Sequence, residues 1–244
     1  NDGPVAVGGS AGDTLEDTGL SGQLSASDVD GDTLSFGLAD SGGPEHGTIE
    51  IGEDGSYTYV PDQDYSGVDS FTYQVSDGEG GTDTATITLS VTAVADNPVV
   101  IVSDETGAED QWTQLHLGAQ ETDIDGSETL SVLITNVPEG ATLSPGTNLG
   151  GGEWTVSPEL LPSVCILPPE DFNGDIDLNL AITSTEPNGD LATVDSDFTV
   201  SIEAVNDGPV AGATPEFTMN EDGTITISEA ELLAGSSDVD GDTD

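Results

Sequence analysis

Hydrophobic and polar residues alternate along most of the chain. The longest alternating run places an apolar side chain at every second position from Ala85 to Ala93, and Phe71–Val75 is another run of this kind. A period of two is typical of β-strands with one buried face. The turn Gly52–Gly55 separates two such runs and predicts a hairpin. The pattern over residues 1–96 therefore predicts a two-sheet sandwich of about seven short strands.

The same alternation returns further along the chain. Residues 97–205 contain the runs Ile176–Ile182 and Phe198–Ala204, with longer loops between the runs. The chain is therefore predicted to be all-β, with tandem β-sandwiches over residues 1–96 and 97–205 and the beginning of a third domain over residues 206–244.

The third predicted domain is short. It is expected to hold strands at Phe217–Met219 and Thr224–Ile227, and then a helical turn in which Ser228 and Glu231 form a capping box. These residues are too few to complete a sandwich of their own. Three explanations stay open: the domain is cut at residue 244, an insertion interrupts it, or strands from another chain complete it.

The single cysteine excludes an intrachain disulfide. Cys165 lies in Pro162–Leu167, which is predicted to be a buried strand. Cys165 is therefore expected to be a small apolar core residue and not a reactive thiol.

The charge of the chain narrows the range of partners. It has 49 Asp and Glu residues and no Lys or Arg, which gives a formal net charge of −49. Nucleic acids and anionic lipid surfaces are bound by basic residues, so the composition excludes both as partners. No apolar run approaches the roughly 18 residues of a membrane span, so direct membrane insertion is not expected.

An acidic turn occurs once in each predicted domain. Asp28-Val29-Asp30-Gly31-Asp32 is followed by Asp123–Glu128 and by Asp238–Asp242. Without basic residues nearby, such carboxylates either spread into water as solvated Asx turns or gather around a cation. Carboxylate and carbonyl oxygens suit Ca²⁺, which takes about 6–8 of them. A salt-adapted surface is the alternative, but it predicts scattered acids and not clusters.

An acidic pair precedes each acidic turn, as Glu16-Asp17, Glu109-Asp110 and Glu221-Asp222. A strand rises about 3.3 Å per residue, so the segment from Asp17 to Asp28 can span the length of a small sandwich. The pair and the turn of one domain are therefore expected at opposite poles. The pair should then meet the short linker and the acidic turn of the following domain.

Calcium sites at the linkers follow from this arrangement. The first joint is predicted to use Glu16, Asp17, Asp96, Asn97, Asp123 and Asp125, and the second Glu109, Asp110, Asn206, Asp207, Asp238 and Asp240. Half of a joint is predicted upstream, from Asn1, Asp2, Asp28 and Asp30. The predicted ligand set is completed by Asp32, Asp242, Glu221 and Asp222. Other acids are interpreted as parts of solvated turns, with a secondary ligand role as the alternative: Asp62, Asp64, Asp69, Asp77, Asp83, Asp171 and Asp175.

The order of these motifs resembles bacterial cadherin-like domains, the tandem extender modules of giant RTX adhesins secreted by type I systems. The resemblance rests on the acidic pair, the Asp-x-Asp-Gly-Asp turn, the segment from Asp54 to Pro61, the segment from Tyr65 to Gly78, and the Asn-Asp-x-Pro linker. It covers nearly all of residues 1–96, whereas Ser127-Glu128 departs from the motif in the second domain. The resemblance implies an immunoglobulin-like sandwich, Ca²⁺ at the junctions, and a stalk that projects ligand-binding domains from a bacterial cell in adhesion or biofilm formation. It also implies an extracellular location and neighbouring domains of the same long chain as partners.

No catalytic constellation is recognisable, so an enzyme is not expected. His46 and His116 belong to different predicted domains and share no obvious partner. The alternative function is a binding module for glycan or peptide, in which Trp112 or Trp154 stacks on a sugar, or a fibre completed by other copies of the chain.

Overall fold

The computed structural model describes residues 1–124, 126–208, 210, 216–218, 221–222, 224–228, 231 and 236. Its first nine strands are β1 (Val5–Ala6), β2 (Gly9–Leu15), β3 (Leu20–Gln23), β4 (Ala26–Ser27), β5 (Ser35–Leu38), β6 (Gly47–Ile51), β7 (Ser56–Pro61), β8 (Gly67–Ser76) and β9 (Thr82–Thr92). They are followed by β10 (Val99–Ile101), β11 (Glu105–Ala108), β12 (Thr113–Gln114), β13 (Gly118–Gln120), β14 (Thr129–Thr135), β15 (Thr142–Ser144), β16 (Thr147–Gly150), β17 (Glu153–Thr155), the 3₁₀ helix η1 (Pro158–Ser163), β18 (Cys165–Leu167), β19 (Gly174–Thr185) and β20 (Leu191–Glu203).

Strands β1–β9 form the first sandwich. One sheet has the order β2-β9-β8-β5 and the other β3-β7-β6, with β1 and β4 paired separately. Strand β2 pairs with β9 in parallel, whereas β8 and β9 form an antiparallel hairpin. Alternate residues of these strands meet in a core that contains Tyr59, Tyr73 and Leu89. The predicted hairpin at Gly52–Gly55 is confirmed by the antiparallel pairing of β6 with β7.

Strands β10–β20 form the second sandwich, which repeats this plan with more strands. Its large sheet has the order β11-β20-β19-β14-β17-β16, and a smaller sheet has the order β12-β18-β15. Strand β11 pairs in parallel with β20, as β2 does with β9. The all-β class and the tandem β-sandwiches predicted from the sequence are confirmed.

The chain divides into two compact units. The first comprises Asn1–Val100, Ala119–Val132 and Ala181–Asp195, and the second comprises Ile101–Gly118, Leu133–Leu180 and Ser196–Asp244. The domain boundaries after residues 96 and 205 stay predictions.

Three local predictions have different outcomes: the strand at Pro162–Leu167, the position of Cys165, and the capping box. Pro162 and Ser163 belong to helix η1, so the predicted strand begins only at Cys165. The predicted core position of Cys165 is wrong, because strand alternation turns the flanking Val164 and Ile166 inward and leaves Cys165 half-buried. The capping box is confirmed: the Glu231 amide bonds Ser228 Oγ at 3.3 Å, and the Ser228 amide bonds Glu231 Oε2 at 2.9 Å.

The strands predicted in the third domain are not observed where the residues are described. Residues 216–218 and 224–228 carry no strand. A strand is defined by hydrogen bonds to a neighbour, so an alternating pattern alone does not make one. Within the described residues, no helix is long and apolar enough to cross a membrane.

Asp69 is a buried hydrogen-bond acceptor that stabilises the first sandwich. It is 5% exposed, and its carboxylate accepts hydrogen bonds from the amides of Glu45 (3.1 Å), His46 (3.0 Å) and Ser70 (2.8 Å) and from the Tyr59 hydroxyl (3.0 Å). Burial alone would raise the pKa of Asp69, but these four hydrogen bonds outweigh burial and lower it. The interpretation of Asp69 as part of a solvated turn is therefore wrong.

Candidate metal centre

The glutamates of the first two acidic pairs hold the chain just beyond the last strand of their sandwich. The Glu16 amide bonds the Thr92 carbonyl at 3.0 Å, and Glu16 Oε1 accepts the Val94 amide at 2.6 Å. In the second sandwich, Glu109 Oε1 accepts the Val205 amide at 2.5 Å in the same way. The two glutamates therefore fasten equivalent linkers to equivalent strand ends.

The aspartates of the first two pairs each bind the backbone amide of another acid near the linker. Asp17 Oδ1 accepts the Asp64 amide at 3.3 Å, and Asp110 Oδ1 accepts the Asp171 amide at 3.2 Å. These four aspartates have φ between 54° and 57°, in the left-handed region that Asp and Asn tolerate better than most residues. Each of the two sandwiches therefore contains its own copy of the same preformed acidic pair. Asp222, in the third predicted domain, has φ 64°.

The first cluster lies within the first compact unit, around Asp96. The Asp96 amide donates to Glu128 Oε1 at 2.6 Å, and the Ile124 amide donates to Asp64 Oδ2 at 3.3 Å. Burial raises the pKa of Asp96, and negative charge adds to the effect from Asp64, Glu128, Asp17 and Asp123. The segments that were predicted to meet at the first joint are therefore brought together.

Two glutamates add to this cluster. Glu128 and Glu186 are 5% and 3% exposed. Ser127 Oγ lies 3.2 and 3.1 Å from the two carboxylate oxygens of Glu186 and donates to Asp123 Oδ2 at 3.0 Å. Glu128 Oε2 is buried and has no hydrogen-bond partner in the described part of the chain. A bound cation would stabilise a buried carboxylate oxygen in this state, and the chain supplies no Lys or Arg.

A second cluster lies near the start of the chain. Carboxylate oxygens of Asp28, Asp32 and Asp77 lie within 4.8 Å of one another, and Asp77 is 5% exposed. Asp28 Oδ1 accepts the amides of Asp30 and Gly31 at 2.8 and 3.1 Å. Among the described residues, Asp28 Oδ2 and Asp32 Oδ2 are buried without a hydrogen-bond partner. The turn is therefore an Asx turn whose remaining carboxylate oxygens face inward.

The first two residues of the chain contact this cluster. Asn1 Nδ2 donates to Asp77 Oδ2 at 3.0 Å, and the Asp2 amide donates to Asp30 Oδ2 at 2.6 Å. Burial raises the pKa of Asp32, and so do the charges of Asp28, Asp30, Asp77 and Glu79. Asp77 was interpreted as part of a solvated turn, and its burial beside Asp28 and Asp32 corrects that interpretation.

A third cluster lies within the second compact unit. Carboxylate oxygens of Asp110, Asp171 and Asp207 lie within 4.8 Å of one another. Glu109 is 3% exposed and accepts a long hydrogen bond of 3.5 Å from Asn173 Nδ2. The exposed Asn206 donates from Nδ2 to the Asp207 carbonyl at 3.2 Å.

The remaining predicted ligands are exposed or lie outside the described residues. Asn97 is exposed, and its carbonyl accepts the Thr122 hydroxyl at 3.2 Å. Glu221 and Asp222 are exposed. Four predicted ligands lie outside the described residues, namely Asp125, Asp238, Asp240 and Asp242.

The geometry of the second and third clusters fits calcium. Two oxygens that ligate one Ca²⁺ at about 2.4 Å cannot be more than about 4.8 Å apart. The carboxylate oxygens of the second and third clusters satisfy this limit. All donors are hard oxygen atoms, which favour Ca²⁺ over softer metals.

The two histidines and Trp154 make contacts within the fold. The His46 ring stacks on Tyr65 with centroids 4.2 Å apart, and His116 Nδ1 pairs with Glu105 Oε1 at 2.7 Å. Trp154 is 6% exposed and packs in the core, whereas Trp112 is 50% exposed. Trp154 therefore offers no ring face to a sugar.

Asp64→Asn tests the cluster around Asp96. Asn keeps the shape and tolerates φ 55° at this position, but removes one charge from the repelling set. We expect the metal-free protein to gain stability slightly and its calcium affinity to fall about tenfold. Calcium titration calorimetry checks the affinity. Asp13→Asn, an exposed acid on β2, is the charge-matched control, and an unchanged affinity in Asp64→Asn would exclude Asp64 from the site.

Two parts of the chain match models of cadherin-like protein families. Residues 1–93 match the family model of the bacterial cadherin-like domain, and residues 205–243 match that of a cadherin-like domain. Neither family is one of enzymes. No curated protein sequence matches the chain.

Solved structures show the same fold. The chain is similar to mouse cadherin-23 EC22-24, with 15% identity and a TM-score of 0.53 over 86% of this chain and 69% of that one. It is also similar to protocadherin gamma B2 extracellular cadherin domains 3-6, with 14% identity and a TM-score of 0.50 over 85% of this chain and 49% of that one. The chain spans 42–50% of the length of the first solved structures it matches. At this identity the likeness establishes the cadherin-like fold.

Proposed function

We propose that the chain is a calcium-stiffened extender segment in the stalk of a bacterial surface adhesin. The observation that carries the proposal is the set of buried carboxylate oxygens without hydrogen-bond partners, Asp28 Oδ2, Asp32 Oδ2 and Glu128 Oε2 within the described ranges. They lie in a chain that has no lysine and no arginine. The bacterial cadherin-like match over residues 1–93 supports the same function.

The clusters define which residues would hold the ions. Asp17, Asp64, Asp96, Asp123, Glu128 and Glu186 surround the first linker, and Asp110, Asp171 and Asp207 the second. Asp28, Asp32 and Asp77 form the upstream site. Glu16 and Glu109 fasten the linker backbone in each case. A bound ion supplies the positive charge that the chain lacks.

The mechanical consequence follows from Coulomb's law. Two unit charges 4 Å apart repel by roughly 4 kcal/mol at an effective dielectric near 20. Without calcium, each joint is a set of repelling carboxylates on a short linker. With calcium, the same carboxylates bind one ion and cross-link the linker to the sandwich ends.

The setting we propose is extracellular. Calcium modules outside cells commonly bind at about 10⁻⁴–10⁻³ M. A chain of this kind stays loose where calcium is scarce and stiffens in calcium-rich surroundings, which suits type I secretion of an RTX adhesin. Its partners are the neighbouring domains of the same long chain and other copies of it, and its role is to carry ligand-binding domains away from the cell in adhesion or biofilm formation.

Small-angle X-ray scattering tests the stiffening. We expect a larger maximum dimension in calcium at a few millimolar than in chelator, because joints without ions sample bent arrangements. Magnesium at the same concentration is the control, because it requires a smaller and more regular site. Identical scattering curves in calcium and in chelator would contradict the proposal.

A further inference from the structure

Strand β19 carries a polar residue into the interior of the second sandwich. Ser184 is 0% exposed, and its Oγ has no hydrogen-bond partner in the described part of the structure. The inward residues before it on the strand are apolar, Ile176, Leu178, Leu180 and Ile182. A buried hydroxyl without a partner destabilises a fold. Packing alone therefore does not explain a serine at this position.

The order of the strands brings two buried acids, Glu128 and Glu186, to the end of the sheet that contains Ser184. Glu186 follows Ser184 by two residues and therefore lies on the same face of the strand. The Thr129 hydroxyl donates to the Thr185 carbonyl at 3.4 Å, and the Ser131 hydroxyl to the Thr183 carbonyl at 3.5 Å. These two contacts join β14 to its neighbour β19, and Glu128 directly precedes β14 as Glu186 directly follows β19.

Glu128 and Ser184 are therefore both buried and lie near the same end of two neighbouring strands. The long Glu128 side chain carries a second buried and unpartnered atom, Oε2. Two buried polar atoms without partners thus occur on one face, at the pole that carries the carboxylate cluster.

The first sandwich differs at the matching position. Val75 precedes Asp77 by two residues on β8 and is 0% exposed, as Ser184 is on β19. The acids there are the shorter Asp32 and Asp77. The second sandwich therefore replaces two aspartates by glutamates and a core valine by serine. The hydroxyl occurs together with the longer acids.

We propose that Ser184 is a positioning residue of the calcium site at the pole of the second sandwich. Its hydroxyl holds a calcium-bound water that also donates to Glu128 Oε2. Calcium takes waters among its ligands, and a buried water needs at least two polar partners, which these two atoms supply. The inference rests on the proposed calcium function. It gives this site a buried polar residue at the position where the upstream site has Val75.

Ser184→Val tests the inference on the whole chain. The two tryptophans, Trp112 and Trp154, lie in the second sandwich, and the four tyrosines, Tyr57, Tyr59, Tyr65 and Tyr73, lie in the first. Tryptophan emission therefore follows the second sandwich and tyrosine emission the first. In chelator, the variant should melt at a higher temperature by tryptophan emission, because the unpartnered hydroxyl is gone. In calcium, its affinity should fall about tenfold and the calcium-induced rise should shrink.

Two further variants make the result specific. Thr183→Val removes a neighbouring hydroxyl that bonds Thr193 at 2.8 Å on the other face of β19, and should leave the calcium-induced rise unchanged. Ser184→Thr keeps the hydroxyl and should retain calcium affinity even if the added methyl group lowers the melting temperature. Wild-type calcium affinity in Ser184→Val, with the calcium-induced rise intact, would overturn the inference but not the proposed function. Absence of any calcium-induced rise in the wild-type protein would overturn both.

Discussion

Calcium at a hundredfold excess over its Kd is expected to raise the free energy of unfolding by about 2.7 kcal/mol for each ion bound only by the folded state. For a sandwich of this size, one ion corresponds to a rise in Tm of roughly 10–20 °C. The rise should appear in both tyrosine and tryptophan emission, because the carboxylate clusters are distributed along both sandwiches. Thermal melts in chelator and in calcium measure it.

Sodium chloride separates binding from screening. A net charge of −49 destabilises a compact chain by self-repulsion, which any salt reduces. Sodium chloride at the ionic strength of the calcium buffer should therefore give a smaller rise than calcium does. An equal rise in both salts would mean that screening alone stabilises the chain.

Asp69→Ala is expected to lower the free energy of unfolding of the first sandwich by about 3–5 kcal/mol, because three amides lose their acceptor and the buried Tyr59 hydroxyl keeps only the His46 carbonyl. Urea denaturation followed by tyrosine emission measures the change. Tryptophan emission from the second sandwich is the internal control and should not shift. Asp69→Asn keeps one acceptor oxygen and should lose less. A loss below about 1 kcal/mol in Asp69→Ala would show that solvent replaces the carboxylate at little cost.

Asp69 also predicts the response of the first sandwich to acid. Its pKa lies below the ordinary value of about 3.9 for an unfolded aspartate. The stability it contributes is therefore complete above that value and is lost as the pH falls through the lowered pKa. Urea midpoints should decrease less steeply below about pH 4 in Asp69→Ala than in the wild-type protein. Parallel pH profiles would contradict this assignment.

The strands could be predicted wherever a segment with alternating apolar residues also pairs with a neighbouring strand. Ala85–Ala93 and Ile176–Ile182 are such cases, since both occupy long strands that pair with two neighbours. Leu115 and Leu117 alternate in the same way and are both buried, but they lie between β12 and β13 and not within a strand. The spacing of hydrophobic residues predicts which side chains are buried. Whether the backbone forms a strand depends on hydrogen bonds to segments that are distant in the sequence.

The candidate site was predictable only in part. The repeated acidic pairs and turns pointed to the linkers because their order is visible in the sequence. Glu186 was missed, and Asp64 and Asp77 were given a ligand role only as the alternative, because each reaches its cluster through the folding back of a distant loop or strand end. One signal was available, the recurrence of Pro61–Tyr65 as Pro169–Phe172, since Asp64 and Asp171 hold the same position in the two copies.

The most direct test of the calcium-locked joint is a distance distribution measured across the first linker. Spin labels at Glu50→Cys on β6 and Thr147→Cys on β16, both exposed positions, would be introduced into a Cys165→Ser background. Double electron–electron resonance should give a broad distribution in chelator and a single narrow one in calcium, and Asp64→Asn should require more calcium to narrow it. An equally broad distribution in chelator and in saturating calcium would contradict the account.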